Sequence, residues 1–393
     1  MDAAIQAGVD NVLLAGDVVE RIEDRFRAFG DLARGVERLV EAGIAVIGVT
    51  GNHDVEALPR LAKRLPQFQL LGKGGKWESV ALKRAGVEYA TLWGWSFSEP
   101  QVTHSPLAKF PSKRKGGIEL GLLHADLDAH GSHHAPIKSQ ELQATGLAAW
   151  FLGHIHAPTF GRDKQPLGYL GSLSGLDPGE HGRRGPWMVE ITTEGKLRYR
   201  QLPLAPLRYE RVEIELADLP KDPTELADQL HARLHDDALG GVAEALGRDL
   251  GGVRAVAVRA TMTGRVVRRD AVAAALDELG RTGLHRTIDR TVLFLEKIVD
   301  RTKAEVDIEL LSRDSSYPGL LAQRILALEA NDEDGRRLVK SCGQELLKRL
   351  DGTRGADVRT LDDDQKRELL LRSAYRALDA LLAQAPAELQ ETR

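Results

Sequence analysis

Three observations predict an α/β protein. Short apolar runs alternate with amphipathic helical stretches between Asn11 and about Leu204. Those runs end in polar clusters, as strands do where they leave a sheet. Beyond Pro318 the pattern becomes purely helical.

The elements follow in order. Val12–Ala15 reads as a strand, Phe26–Ala42 as an amphipathic helix and Ala45–Val49 as a second strand, which is the rhythm of an α/β domain. Further strands are expected at Tyr89–Trp93, Glu119–Leu123, Trp150–Leu152, Leu167–Leu170 and Trp187–Ile191. Pro203 and Pro206 bracket a linker, so a domain boundary is expected near residue 205. After it, Tyr209–Leu216 alternates with period two. Helical patterns at Pro223–His235 and Arg269–Leu279 then interleave with strand-like Val253–Ala260 and Thr291–Val299, giving a small α+β unit that ends near residue 312. Helices are expected at Gly319–Glu329, Asp332–Leu350 and Leu361–Leu382.

Composition narrows the function. With 393 residues the chain predicts two or three domains, and 42% apolar with 28% charged residues is the balance of a globular protein. Lys and Arg total 54 against 58 Asp and Glu, so a net charge of -4 gives no bulk attraction to nucleic acid or anionic membrane. Nucleic-acid contact would need a local basic patch. The single cysteine, Cys342, excludes an internal disulfide and points to a reducing compartment. No basic segment followed by an apolar stretch opens the chain, and no apolar run spans a bilayer, so a cytoplasmic protein with no membrane partner is expected.

The chemistry sits where apolar runs end. Gly16-Asp17 follows the first strand, Gly51-Asn52-His53-Asp54 the second, and Gly153-His154-Ile155-His156 the run Trp150–Leu152. His124 follows Gly121-Leu122-Leu123 in the same way. In open α/β sheets ligands bind at this carboxyl edge, because buried strands release functional side chains into the crevice beyond them. One Asp, one Asn and three His suit a pair of divalent ions: imidazole favours Mn, Fe, Zn or Co, and the oxygen ligands also accept Mg. Such a pair activates water and clamps the attacking and leaving oxygens of a displacement at phosphorus, with Asp17 as the bridge. His53 would stabilise the charge on phosphorus or protonate the leaving alkoxide, and Asp54 would orient it. Gly-Asp and Asn-His-Asp are also ordinary turn compositions. Their joint order and spacing favour the metal reading.

In these blocks the sequence resembles the calcineurin-like metallophosphoesterases, and within them the DNA repair exonuclease branch of the SbcD and YhaO type, related to the Mre nucleases. The residues that carry the likeness are Leu122-Leu123-His124, His134-Ala135-Pro136, Gly153-His154-Ile155-His156, Gly171-Ser172-Leu173-Ser174-Gly175 and Gly185-Pro186-Trp187-Met188-Val189-Glu190, with a weaker echo at Phe294–Ile298. The resemblance implies a sandwich of two mixed β-sheets flanked by helices over residues 1–205, an α+β capping or DNA-binding domain over 206–312, and a helical region over 313–393. It implies two divalent ions, Mn first among them. Asp17 bridges them, Asn52, His124 and His154 complete one shell, His156 serves the other, and His53 acts on the phosphate. The implied partners are DNA and an SMC-like coiled-coil ATPase, with a homodimer left open.

One family block, Asp-x-His on a first strand several tens of residues before Gly-Asp, has no counterpart here. The expectation is therefore that the natural coding sequence continues upstream of Met1, that the first strand is missing, and that residues 1–393 alone hydrolyse little. A small-molecule phosphoesterase and a non-catalytic DNA-binding scaffold are the competing readings. Four further features have bland readings. His130, His133 and His134 crowd a Gly-Ser turn, and Lys113-Arg114-Lys115 reads as a solvated loop unless it meets DNA phosphate. Trp93 and Trp95 are expected in the core, and Arg265, Arg268 and Arg269 at a solvated helix start.

Overall fold

The computed structural model of the protein describes residues 1–19, 25–112, 116–350 and 362–383. Lys113-Arg114-Lys115 and the expected helix start at Leu361 lie outside the described residues.

Two sheets build the part that carries the motifs. The first is parallel, order β1-β2-β3, from Asn11–Ala15, Ala45–Val49 and Phe68–Leu70. Helices α1 (Asp2–Ala7), α2 (Arg25–Glu41) and α3 (Ala57–Arg64) accompany it. In α2 the residues Leu32, Val36 and Leu39 recur at helical spacing and join Val46 of β2 and Leu58 and Leu61 of α3 in one buried cluster. The five residues of β1, at the sheet's edge, are half-buried.

The second sheet takes β4 (Glu78–Arg84), β5 (Val87–Trp95), β6 (Glu119–His124), β9 (Ala149–Gly153) and β10 (Leu167–Tyr169) in the order β10-β9-β6-β5-β4. It is mixed: β5, β6, β9 and β10 are parallel, and β4 runs antiparallel to β5. The ribbon β7 (Asp126–Leu127) with β8 (Pro136–Ile137), and helix α4 (Ser139–Ala144), fill the crossover from β6 to β9. Strand periodicity shows how the layers stack. Ile47 and Val49 share a cluster with Leu120, Leu122, Ala149 and Phe151, so the two sheets pack face to face. The alternate residues Leu123, Trp150 and Leu152 turn to the opposite face, with Leu142 of α4 and Ile137. Because both faces are covered, β6 and β9 are buried nearly throughout, and their central residues are apolar rather than alternating. This is the mixed α/β sandwich that the sequence predicts. Trp93 and Trp95 are core residues, as expected.

Downstream, β11 (Trp187–Ile191) pairs antiparallel with β12 (Leu197–Gln201). A four-stranded sheet then takes β13 (Leu207–Glu215), β14 (Ala255–Thr263), β16 (His285–Ile288) and β17 (Thr291–Asp300) in the order β13-β14-β17-β16. Helices α5 (Pro223–Ala232), α6 (Gly241–Leu246) and α7 (Arg269–Arg281) occur in the same stretch, and β15 (Arg265–Val266) pairs with β18 (Lys303–Ala304). Four helices close the described chain: α8 (Ile308–Leu311), α9 (Tyr317–Ala330), α10 (Glu333–Leu350) and α11 (Asp363–Ala383).

The chain divides into two compact units. One comprises Met1–Arg211, Val242–Arg259 and His285–Phe294, and the other Val212–Gly241, Ala260–Leu284 and Leu295–Arg393. In the second, Leu226, Leu230, Val272 and Leu276 form the core with Ala260 and Met262. Ala322, Ile325 and Leu378 join α9 to α11. Arg265 pairs with Asp379 at 2.7 Å, Arg268 donates to the Lys221 carbonyl, and Arg269 donates to the Thr302 carbonyl. No helix among the described residues is long and apolar enough to cross a membrane.

Candidate metal centre

The motifs converge because their strands are neighbours in register. Ala15 is paired with Val49 across β1 and β2, and His124 with Gly153 across β6 and β9. Each strand therefore releases its motif at the same edge of the sandwich. Asp17, His124 and His154 bring ligand atoms within 4.8 Å of one another, and they are the one such group of three or more among the described residues. Asn52 joins them, its Oδ1 lying 3.1 Å from His124 Nε2.

Three motif glycines make this approach close enough. A Cβ on Gly51 would stand 2.1 Å from Asp17 Oδ1 and 2.7 Å from His124 Cε1. On Gly153 it would stand 1.9 Å from the Ala15 carbonyl oxygen and 2.7 Å from His124 Nδ1, and Gly16 faces the same ring. Two of the polar residues also hold left-handed backbone, Asp17 at φ 50° and His154 at φ 102°, a conformation that surrounding structure must impose on a non-glycine residue.

His124 defines the electrostatics. It is 1% exposed, and its Nδ1 lies 2.9 Å from the Ala15 carbonyl oxygen, which can only accept, so Nδ1 carries the proton. Nε2 is then a lone pair in the neutral ring and a donor in the protonated one. It lies 3.1 Å from Asp17 Oδ2 and 3.1 Å from Asn52 Oδ1. Three electron-rich atoms at this spacing repel one another unless a proton or a cation stands among them. The donor set thus fits a divalent ion, and its mixture of imidazole and oxygen atoms suits a transition metal.

Burial would raise the Asp17 carboxyl, but the hydrogen bond and charge of His124, with the His53 N–H at 3.0 Å, hold it below its ordinary value. Burial lowers His154, helped by the charge of His124 and opposed by Asp126, and so favours the neutral, ligating imidazole. Asp54, expected to orient His53, is fully buried and binds backbone: Oδ1 accepts from Gly51 N and Oδ2 from Val18 N, both at 2.8 Å. It thereby ties the Asp17 loop to the Asn52 loop, and burial pushes its carboxyl up to about 6. His53 itself is exposed.

His156 stands outside the tight group, 51% exposed at the side chain, with its Nδ1 2.5 Å from Glu180 Oε1. Nothing in the spacing of Glu180 marks it: it falls between the Gly171–Gly175 and Gly185–Glu190 blocks as an ordinary polar loop residue. Asp126 is equally unmarked. Its Oδ1 lies 3.7 Å from His154 Nε2. The ring of His134 lies 5.2 Å from that of His154, whereas His130 and His133 are exposed.

Comparison with known proteins agrees with this geometry. Residues 1–158 match the family described as Calcineurin-like phosphoesterase. A relative from Bacillus subtilis (strain 168), described as "Uncharacterized metallophosphoesterase YhaO", is 27% identical over 202 residues, which cover 51% of this chain and 49% of that protein. The chain thus matches over about half the length of this curated relative. A solved structure aligned over 51% of this chain and 91% of its own has 12% identity and a TM-score of 0.32, too low to bear on the fold.

Proposed function

We propose that this chain, which carries a calcineurin-like phosphoesterase domain over residues 1–158, is a metal-dependent DNA phosphodiesterase, an exonuclease with endonuclease capacity that acts in double-strand-break repair in the cytoplasm. The family implies metal-dependent phosphoester hydrolysis. The observation that best supports that chemistry is the convergence of His124 Nε2 with Asp17 Oδ2 and Asn52 Oδ1, each 3.1 Å from it, three atoms that only a proton or a cation can bridge. The DNA assignment rests on the motif likeness of residues 122–190 to the repair nucleases.

Asp17, Asn52, His124 and His154 would hold one divalent ion, and Asp17 with His156 would serve a second. When bound, the ions, Mn²⁺ in this reading, supply positive charge that acidifies water and stabilises charge growing on phosphorus. The chain's own groups do the rest. His53, exposed at the rim, reaches the phosphate or gives a proton to the leaving oxygen. Its backbone N–H holds Asp17 in place, and Asp54 fixes the two loops. At net charge -4, DNA would be engaged by local basic segments such as Lys113-Arg114-Lys115. Residues 206–312 act in this reading as a capping and DNA-binding domain. The helical region 313–393 is the attachment site for a coiled-coil ATPase, and a homodimer is the proposed assembly of this chain.

The test is Mn²⁺-dependent turnover of end-labelled duplex DNA and of a chromogenic bis-aryl phosphate, by this chain and by a version extended with the codons read in frame upstream of Met1. DNA cleavage that disappears in His53→Ala is the expected result. Turnover confined to the small ester would overturn the DNA assignment.

A further inference from the structure

Glu180 is not one of the metal-motif residues, yet it meets the imidazole ring of His156. Its Oε1 lies 2.5 Å from His156 Nδ1, and its Oε2 accepts from Leu176 N at 3.1 Å and from the Ser172 hydroxyl at 3.5 Å. The carboxylate is therefore fixed from its own loop before it meets the imidazole. The His156 backbone is held as firmly: its carbonyl accepts from Ser172 N at 3.0 Å and from Nη1 of Arg184. Arg184 is 4% exposed, and burial lowers its guanidinium against the opposing charge of Glu180.

A carboxylate accepts only, so the shared proton belongs to Nδ1 of His156. The opposite nitrogen, Nε2, is then left as a lone pair. A carboxylate behind a ligating histidine fixes both tautomer and ring direction and raises the basicity of the ligating nitrogen. Exposure makes this necessary: at 51% exposed, the His156 ring has little packing to hold its rotamer, unlike buried His124.

We infer that Glu180 is a positioning residue for the metal centre, accepting the Nδ1 proton of His156 so that Nε2 is presented for ligation, with Arg184 clamping the same histidine by its carbonyl. The inference rests on the metal reading given above.

Titration calorimetry with Mn²⁺ alone tests it. Glu180→Ala is expected to weaken Mn²⁺ binding by about 10- to 100-fold. Glu180→Gln keeps an acceptor oxygen for Nδ1–H and is expected to lose only a few-fold. In a His156→Ala background, Glu180→Ala should cost nothing further, whereas a merely structural role would still lower affinity there. The metal-free protein gives a second readout: ¹⁵N-histidine NMR should show His156 as the Nδ1–H tautomer in the wild type and as a mixture in Glu180→Ala. Wild-type Mn²⁺ affinity in Glu180→Ala, while Asp17→Asn loses binding, would overturn the inference and leave the metal reading standing. Unchanged binding in Asp17→Asn would overturn both. If Glu180→Ala does not fold, Glu180→Gln that keeps the Nδ1–H tautomer and loses affinity only a few-fold supports the positioning role, and a lost Nδ1–H tautomer with affinity intact refutes it.

Discussion

His124 Nε2 stands 3.1 Å from Oδ2 of Asp17, while the other nitrogen of the same ring is tied to the carbonyl of Ala15, 109 residues away in sequence. The strand that delivers Asp17 therefore also sets the tautomer of His124. The donor set is assembled by backbone as much as by side chains.

Asp17→Asn keeps the shape of this site and removes its charge. Mn²⁺ affinity is expected to fall by about 10- to 100-fold, the loss of a charge-assisted interaction expressed as a binding constant. Calorimetry checks it, and the fold should survive by circular dichroism.

Gly153→Ala places a methyl group 1.9 Å from the Ala15 oxygen, where no rotamer offers relief. The strands β1 and β9 must separate, at a cost of about 1–3 kcal/mol by denaturant unfolding. His124 loses its anchor in the same step, so Mn²⁺ binding should weaken with stability.

Asp54 gives the metal-free protein a particular pH response. Its folded carboxyl titrates at about 6 against 3.8 unfolded, because burial disfavours the charge. Between these values the folded state keeps a proton that the unfolded state has lost. The contribution is thus full below about 3.8 and is lost as pH rises through about 6. Asp17, held low, contributes in the opposite sense and only as pH falls below its ordinary value. Unfolding curves in chelator across this range should show the Asp54 slope in the wild type and a flatter profile in Asp54→Asn.

Trp150 is fully buried on the outer face of the second sheet, with its indole N–H donated to the Thr145 hydroxyl at 3.1 Å and its ring edge-on to Phe110. Trp150→Ala should cost about 3–5 kcal/mol. A much smaller loss in chemical denaturation would mean that the sheet is not packed as described.

Replacing Lys113, Arg114 and Lys115 together with Ala should flatten the dependence of DNA affinity on salt. The slope falls by about one for every phosphate that a removed side chain had neutralised. An unchanged slope would remove this segment from the DNA-binding surface.

The sequence by itself determined the strands that carry the motifs and the residues at their ends, but not β3, β4, β12 or β16. Val12–Ala15, Ala45–Val49, Glu119–Leu123 and Trp150–Leu152 are runs short enough for local hydrophobicity to fix, and Asp17, Asn52, His124 and His154 follow them within three residues. Only the tertiary structure decided the partners. Glu180 meets His156 from 24 residues away and Arg184 from 28, through a loop with no periodicity to read. Likewise Asp54 has the same place in the sequence whether it serves His53 or the backbone of Val18 and Gly51, and burial beside both loops selects the backbone. The physical reason is range: strand propensity and turn chemistry act over a few residues, whereas the choice of hydrogen-bond partner is made after the sheets have packed and water has been excluded.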